Sequence, residues 1–228
     1  MKIISICQPH FIPWVGYFFM IRKCNKFIFL DDVQYNRRSW QNRVHIRSSH
    51  NINEKKYLSL SVKDNTRSKN INQIFLLEEN LEESINQIKN SYRTAINFDF
   101  TLNFLENFLK KNISLNLSEF NILLIKEICK ILKIKINFGR SSDFNLSNYS
   151  KEQLILKILK KENAKIYLSN EGSKKYVHES FFERENLRVV YNDFIHPTYK
   201  QLNSKNFLPN LSVIDLLFNS KDPHKFFL

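Results

Sequence analysis

Two stretches concentrate the side chains able to do chemistry. The first runs from Gln8 to Arg43 and holds Gln8-Pro9-His10, Asp31-Asp32 and Arg37-Arg38-Ser39-Trp40-Gln41-Asn42-Arg43. The second, His196-Pro197-Thr198-Tyr199 with Gln201, comes near the other end. His10 and His196 are imidazoles suited to general acid or base work. Asp31 ends an apolar run, where a carboxylate can hold a ribose hydroxyl, a metal or an amine. Arg43 offers forked donors to phosphate, and Trp40 offers a plane on which a sugar or base stacks. Gln8 and Asn42 supply amide hydrogen bonds, and Tyr199 and Gln201 put aromatic and amide groups beside His196. Each has a bland counterpart. Gln8 can satisfy loop backbone, His10 can be a loop-tip residue, and Asp31-Asp32 can be an Asx turn. Residues 37–43 can be a solvated basic turn anchored by Trp40. Trp14, within an apolar helical run, reads as core. Ser212 and Asp215 lie one helical turn apart. A triad with His196 needs the imidazole lodged between hydroxyl and carboxylate, so capping or orienting roles fit them better.

The elements that position these groups can be read from periodicity. Residues 2–7 (KIISIC) predict a buried strand stopped by Pro9. Pro13 suits the first turn of a helix reaching Lys23. Phe27–Leu30 predicts a second strand. Strand, helix, strand in this span is a βαβ unit, which favours parallel pairing. Ligands of open parallel sheets bind outside the carboxyl ends of the strands, where Gln8–His10 and Asp31–Tyr35 fall. Residues 42–62 predict two more strands around a polar loop. A helix is expected from Ile71 through Tyr92, with others over 98–111 and 117–132. This helical insertion, about 71–132, reads as scaffold or lid. Beyond it come a strand over 135–138, a Ser150-capped helix over 151–161, a strand over 164–168, a short helix opened by Gly172 and Ser173, and a strand over 187–191. The expectation is one α/β domain spanning 1–228, Rossmann-like, with a mainly parallel sheet, flanking helices and a helical insertion in the middle.

Composition sets bounds. The chain has 228 residues, 43% hydrophobic and 14% aromatic, which suits a globular fold. The formal charge of +13 permits an anionic ligand but is spread along a chain rich in Lys, Asn and Ile. With only Gly16, Gly139 and Gly172 present, a Gly-rich phosphate loop is absent, as are HExxH, GxSxG and zinc patterns. The three cysteines, Cys7, Cys24 and Cys129, suggest reduced thiols. No apolar run reaches membrane length, and the opening MKIISIC is too short for a signal peptide. A cytoplasmic protein is expected, with no metal or resident cofactor.

The stretches QPHFIPWVGYF, LDDVQYNRRSWQNR, KIYLSNEGSKKY, IHPTYKQ and FLPNLSVIDLLFN together resemble the WbqC-like family, in order over about residues 3–219. Asn170 stands where a glycine is common. The resemblance implies a place in bacterial O-antigen or other surface-polysaccharide synthesis. It also implies glycine or acyl transfer to the amine of a nucleotide-linked amino sugar. On that reading Asp31, His196 and His10 are catalytic, while Gln8, Gln34, Trp40, Asn42, Arg43, Tyr199 and Gln201 bind substrate. The activated donor, an aminoacyl-tRNA or a carrier protein among the options, leaves no signature. The opening layout is also similar to nucleotidyltransferases with a His-x-Gly-His motif. There His10 matches the first histidine, and Tyr17 stands where the second is expected. A non-catalytic nucleotide-sugar-binding protein of glycan assembly is the third reading.

Overall fold

Short apolar runs between turn formers make the central sheet. A computed structural model of the chain describes residues 1–51, 53–63, 66, 68–175, 177–202 and 206–228. Strand β1 (Ile3–Cys7) leads into helix α1 (Val15–Lys23), and β2 (Lys26–Phe29) returns parallel to β1, with Ser5 opposite Phe27. The βαβ unit expected from the sequence is therefore present. Pro13 lies two residues before α1, whose N-cap is Trp14.

Three further parallel strands complete the sheet: β5 (Asn137–Arg140), β6 (Ile166–Ser169) and β7 (Arg188–Tyr191). The order is β5-β2-β1-β6-β7, and every neighbouring pair is parallel. From β1 the chain winds outward to β2 and β5, then returns to β6 on the other side of β1. The gap between β1 and β6 is thus the topological switch point, where open α/β sheets form a crevice at the carboxyl edge. The α/β, Rossmann-like architecture is as expected. The last three strands each begin later than their apolar runs suggested, because the residues before them complete helix ends: Ile134 N–H reaches Cys129 O at 2.9 Å, and Ala164 N–H reaches Leu159 O at 2.9 Å.

Between β2 and β5 come an antiparallel ribbon, β3 (Arg43–Arg47) with β4 (Lys55–Ser59), and helices α2 (Leu81–Tyr92), α3 (Phe98–Asn112) and α4 (Leu117–Ile131). The ribbon is separate from the main sheet. Helix α2 begins ten residues later than the spacing of Ile71, Ile74 and Leu77 predicts. The backbone there is taken by other partners. Ile71 N–H bonds Val33 O at 2.9 Å, Leu77 N–H bonds Ser61 O at 2.9 Å, and Phe75 O accepts Lys63 N–H at 2.9 Å. Tertiary contacts override the helical period. After β5 come α5 (Lys151–Lys161), α6 (Glu179–Glu183) and α7 (Val213–Asn219). Ser150 precedes α5 as expected but makes no side-chain cap. Among the described residues, no helix is long and apolar enough to cross a membrane.

A two-stranded ribbon is marginal alone, so something must hold this one. Arg47 at the end of β3 and Asp215 in α7 are both 0% exposed, with Nε and Oδ1 3.8 Å apart. Tyr199 Oη and Gln201 Nε2 each donate to Asp215 Oδ2 at 2.8 Å, and Arg47 Nη2 donates to Gln201 Oε1 at 2.8 Å. Arg47 N–H meets Tyr92 Oη at 3.3 Å, and the Tyr92 ring stacks on Phe218 at 4.4 Å. The ribbon, α2, α7, Tyr199 and Gln201 thus close on one buried polar knot. Removing one partner leaves an uncompensated buried charge, which typically costs about 3–5 kcal/mol. Arg47→Ala should therefore lower unfolding stability by about that amount, read by urea denaturation. A loss under about 1 kcal/mol would show that the ribbon is held by its apolar contacts alone.

Candidate functional site

The switch point predicted by strand order holds a cleft of about 1040 Å³. Its floor comes from the loop after β1 (His10, Phe11, Pro13, Trp14). One wall comes from the loops after β6 and β7 (Asn170–Gly172, Lys174, Asn192–Ile195). The facing wall comes from the ribbon (Val44, His45, Lys55), with Trp40 and Asn210 at the rim. Two other clefts, lined by residues such as Asn25, Asn137 and Phe138, open at the opposite, amino edge of the sheet.

The β1 loop is held in an unusual shape. Ile12 is fully buried with φ 36°, a region that β-branched residues rarely enter. Ser212 braces it. Its Oγ donates to Ile12 O at 2.7 Å, its N–H bonds His45 O at 2.8 Å, and the next N–H, of Val213, bonds Pro13 O at 2.9 Å. Ser212 is also the N-cap of α7, its Oγ accepting from Ile214 N–H. The capping role expected for Ser212 is what is found; with Asp215 in the Arg47 knot and Ser212 on Ile12, no Ser–His–Asp triad forms. Asn121 of α4 adds a second brace, its Nδ2 donating to Pro9 O at 3.0 Å and Gln41 O at 2.7 Å. Phe11 N–H bonds Trp40 O at 2.8 Å, which ties the two loops together.

Trp14, read from the sequence as core, is only half-buried and lines the cleft. Its indole lies against Gly16, where any Cβ would overlap the ring, and it meets Phe194 edge-on at 5.0 Å. The first turn of α1 is therefore covered by an aromatic face, unlike the open helix terminus on which a pyrophosphate rests. Trp40 is 45% exposed and stands edge-on to His45 at 5.3 Å. His45 in turn lies 4.2 Å from the Tyr57 ring, over which Arg43 sits at 4.3 Å. These groups share one face of the ribbon because His45 pairs with Tyr57 in register, and residues two apart in a strand face the same way.

Of the residues singled out in the sequence, His10 and Trp40 line the cleft. The others are placed elsewhere. Asp31 is buried, its carboxylate accepting from Ser141 Oγ at 3.0 Å, Ser142 N–H at 3.0 Å and Ser142 Oγ at 2.8 Å. It ties the end of β2 to the turn after β5. His196 is half-buried among Phe194, Tyr199 and Phe207, with Nδ1 on Pro197 O at 2.9 Å. Gln201 uses Oε1 to accept from Arg47 and from Leu208 N–H, and Nε2 to donate to Asp215 and Leu208 O. Tyr199 is in the same knot. Gln8 Oε1 accepts from Gln41 Nε2 at 2.9 Å, Asn42 Nδ2 holds Leu60 O at 2.9 Å, and Gln34 is exposed beside Asn70. Tyr17 is buried with its hydroxyl on Gln8 O at 2.9 Å, so it cannot serve as the second residue of a nucleotidyltransferase motif. Among the described residues, no group of three or more His, Cys, Asp or Glu is arranged to hold a metal ion.

The sequence reading missed His45, Lys55, Asn170, Glu171, Lys174, Asn192, Asp193 and Asn210. For four of these a signal existed: Asn170-Glu171 and Asn192-Asp193 follow β6 and β7 just as Gln8–His10 follows β1. His45 alternates with buried Val44 and Ile46, which turns it to the open face.

Burial pushes His10 down to about 4. Burial, then Lys55, then Arg43 lower His45, so both cleft imidazoles are neutral at pH 7. The folded state thus binds a proton at His10 less readily than the unfolded chain. Its contribution to stability is complete above pH 6.5 and lost as pH falls toward about 4. Denaturation midpoints measured across that range should fall with pH, and the fall should be shallower in His10→Gln.

The family comparisons agree with the resemblance found in the motifs. An uncharacterized protein of Mycobacterium tuberculosis, Rv1507c, is 30% identical over 222 residues, covering 96% of this chain and 94% of the mycobacterial one. No solved structure matches the chain. The model of the WbqC-like protein family matches residues 8–225, from the glutamine that opens the β1 loop to the turn after α7, and the chain belongs to that family.

Proposed function

We propose that the protein is a transferase of bacterial surface-polysaccharide synthesis. Its cleft binds a nucleotide-linked amino sugar and passes a glycyl or other acyl group to the sugar amine. The observation that carries this reading is the lining of the switch-point crevice. Two indoles and Phe194 offer planes to a base or sugar, Lys55 offers positive charge, and Asn170, Asn192 and Asn210 offer amides to sugar hydroxyls. In the reaction the amine nitrogen attacks the carbonyl carbon of an activated donor. The bond from that carbon to the leaving group breaks, the new C–N bond forms, and the nitrogen gives up a proton. A base held near pKa 4 is poorly matched to that proton at neutral pH, so His10 serves as a neutral hydrogen-bonding group. His45, the other imidazole lining the cleft, stands on the ribbon wall and is proposed to hydrogen-bond the nucleotide, while the amine proton departs with the donor's leaving group. Asp31 and His196 are assigned support of the neighbouring loops.

The test is incubation of purified protein with a UDP- or dTDP-linked amino sugar and a panel of activated glycine donors, followed by mass spectrometry. A sugar product heavier by one acyl group is expected, with KM for the nucleotide-sugar raised in His45→Ala. Binding of the nucleotide-sugar without product from any donor would instead support the non-catalytic reading. If neither the nucleotide-sugar nor the free nucleotide raises the melting temperature, the proposal is wrong.

A further inference from the structure

We infer that the cleft is divided by charge. The ribbon wall around Lys55 and Trp40 takes the anionic nucleotide of the ligand, and the wall after β6 and β7, with Asn192, Glu171 and Asp193, takes its cationic amine. This rests on the ligand class proposed above and adds which end goes where.

The ribbon wall carries uncompensated positive charge. Glu171 is paired with Lys174, and Asp193 with Lys23. Lys55 has no ion-pair partner among the described residues, and it faces neutral imidazoles whose protonation it disfavours, His45 and His196. Arg43 adds a second guanidinium-scale charge along the same face, lying over Tyr57. An anion near Lys55 gains attraction with no carboxylate to displace, and the exposed indole of Trp40 is beside it for the base.

The opposite wall is neutral overall, its Glu171 and Asp193 matched by Lys174 and Lys23, and it offers hydrogen-bond acceptors. Asn192 is 5% exposed and anchors itself through Nδ2 on Gly16 O at 3.2 Å, yet its buried Oδ1 has no hydrogen-bond partner. A buried acceptor without a donor is costly, so this amide is suited to a donor brought by a ligand. Glu171 and Asp193 share the cleft lining with it, in the loops that follow the paired strands β6 and β7. Their present partners are exposed surface pairs, worth at most about 1 kcal/mol and readily exchanged for an ammonium group. A zwitterionic ligand fits one way round: phosphates toward the ribbon, amine toward Asn192. That orientation also sets the amine across the cleft from the anion-binding wall, where a second, acyl-bearing molecule can approach without phosphate repulsion.

The experiment is calorimetric titration with three probes: UDP, a UDP-linked amino sugar, and the same sugar N-acetylated. Three proteins are compared: the natural sequence, Lys55→Gln, and the double variant Glu171→Gln with Asp193→Asn. All three substitutions are at exposed side chains, so folding is expected to survive, and circular dichroism checks it. Lys55→Gln should weaken all three probes about tenfold while keeping the preference for the free amine. The double variant should bind UDP at least as tightly and lose most of that preference, about threefold to fivefold. Should Lys55→Gln erase the preference, or the double variant preserve it, the division is wrong although the ligand class stands. If the natural protein binds none of the probes, the ligand class itself fails and the division falls with it.

Discussion

A guanidinium and a carboxylate, both sealed from water, hold the working parts of this protein together. Arg47 and Asp215 come from the ribbon and from α7, elements separated by most of the chain. Charges removed from water are stable only when their remaining hydrogen-bonding capacity is met. Tyr199 and Gln201 supply it at Asp215 Oδ2, and Gln201 also accepts from Arg47, which draws Tyr199 and Gln201 into the knot. Burial pushes the Asp215 carboxyl upward, while Tyr199, Arg47 and Gln201 oppose that push. The ribbon makes no strand pairing with the main sheet, so this knot and the apolar contacts of Val44, Ile46 and Leu58 decide where it stands.

What depends on the ribbon's position is one whole wall of the cleft. His45 and Lys55 belong to the strands whose end Arg47 fixes. One residue before the α7 helix, Ser212 bonds both the strained Ile12 carbonyl and the backbone of His45. The helix that anchors the ribbon therefore also sets the β1 loop against it. Backbone held in a sparsely populated region costs about 1–3 kcal/mol and persists only where its surroundings over-determine it. Here the hydroxyl of Ser212 and the amide of Asn121 do so. The family motif residues Ser212, Asp215, Tyr199 and Gln201 thus act as the frame of the site, while the groups facing the ligand are drawn from other positions.

This division explains what was legible in the sequence. The parallel sheet, the ribbon, helices α3 and α4, and the importance of the β1 loop followed from apolar periodicity and from Pro and polar residues at run ends. Those are local properties, fixed within a few residues of chain. Helix α2 was placed ten residues early because the backbone of Ile71–Leu77 bonds to Val33, Ser61 and Lys63, partners that periodicity does not reveal. Trp14 reads as core from its apolar neighbours, although its ring covers Gly16 at the cleft floor.

The sequence by itself determined the family, the α/β class and the importance of the sheet's carboxyl edge, because strand ends and motif residues can be read one segment at a time. Only the tertiary structure decided which polar residues face the cleft. Asp31 and Gln201 have the right chemistry to bind substrate, but their hydrogen-bonding atoms meet Ser141, Ser142, Arg47 and Leu208. Lys55 and Asn192 look like ordinary surface polar residues until the Arg47–Asp215 knot sets the ribbon opposite the loops after β6 and β7. A side chain's availability depends on which distant groups have already satisfied it, and that follows from how the strands and helices meet.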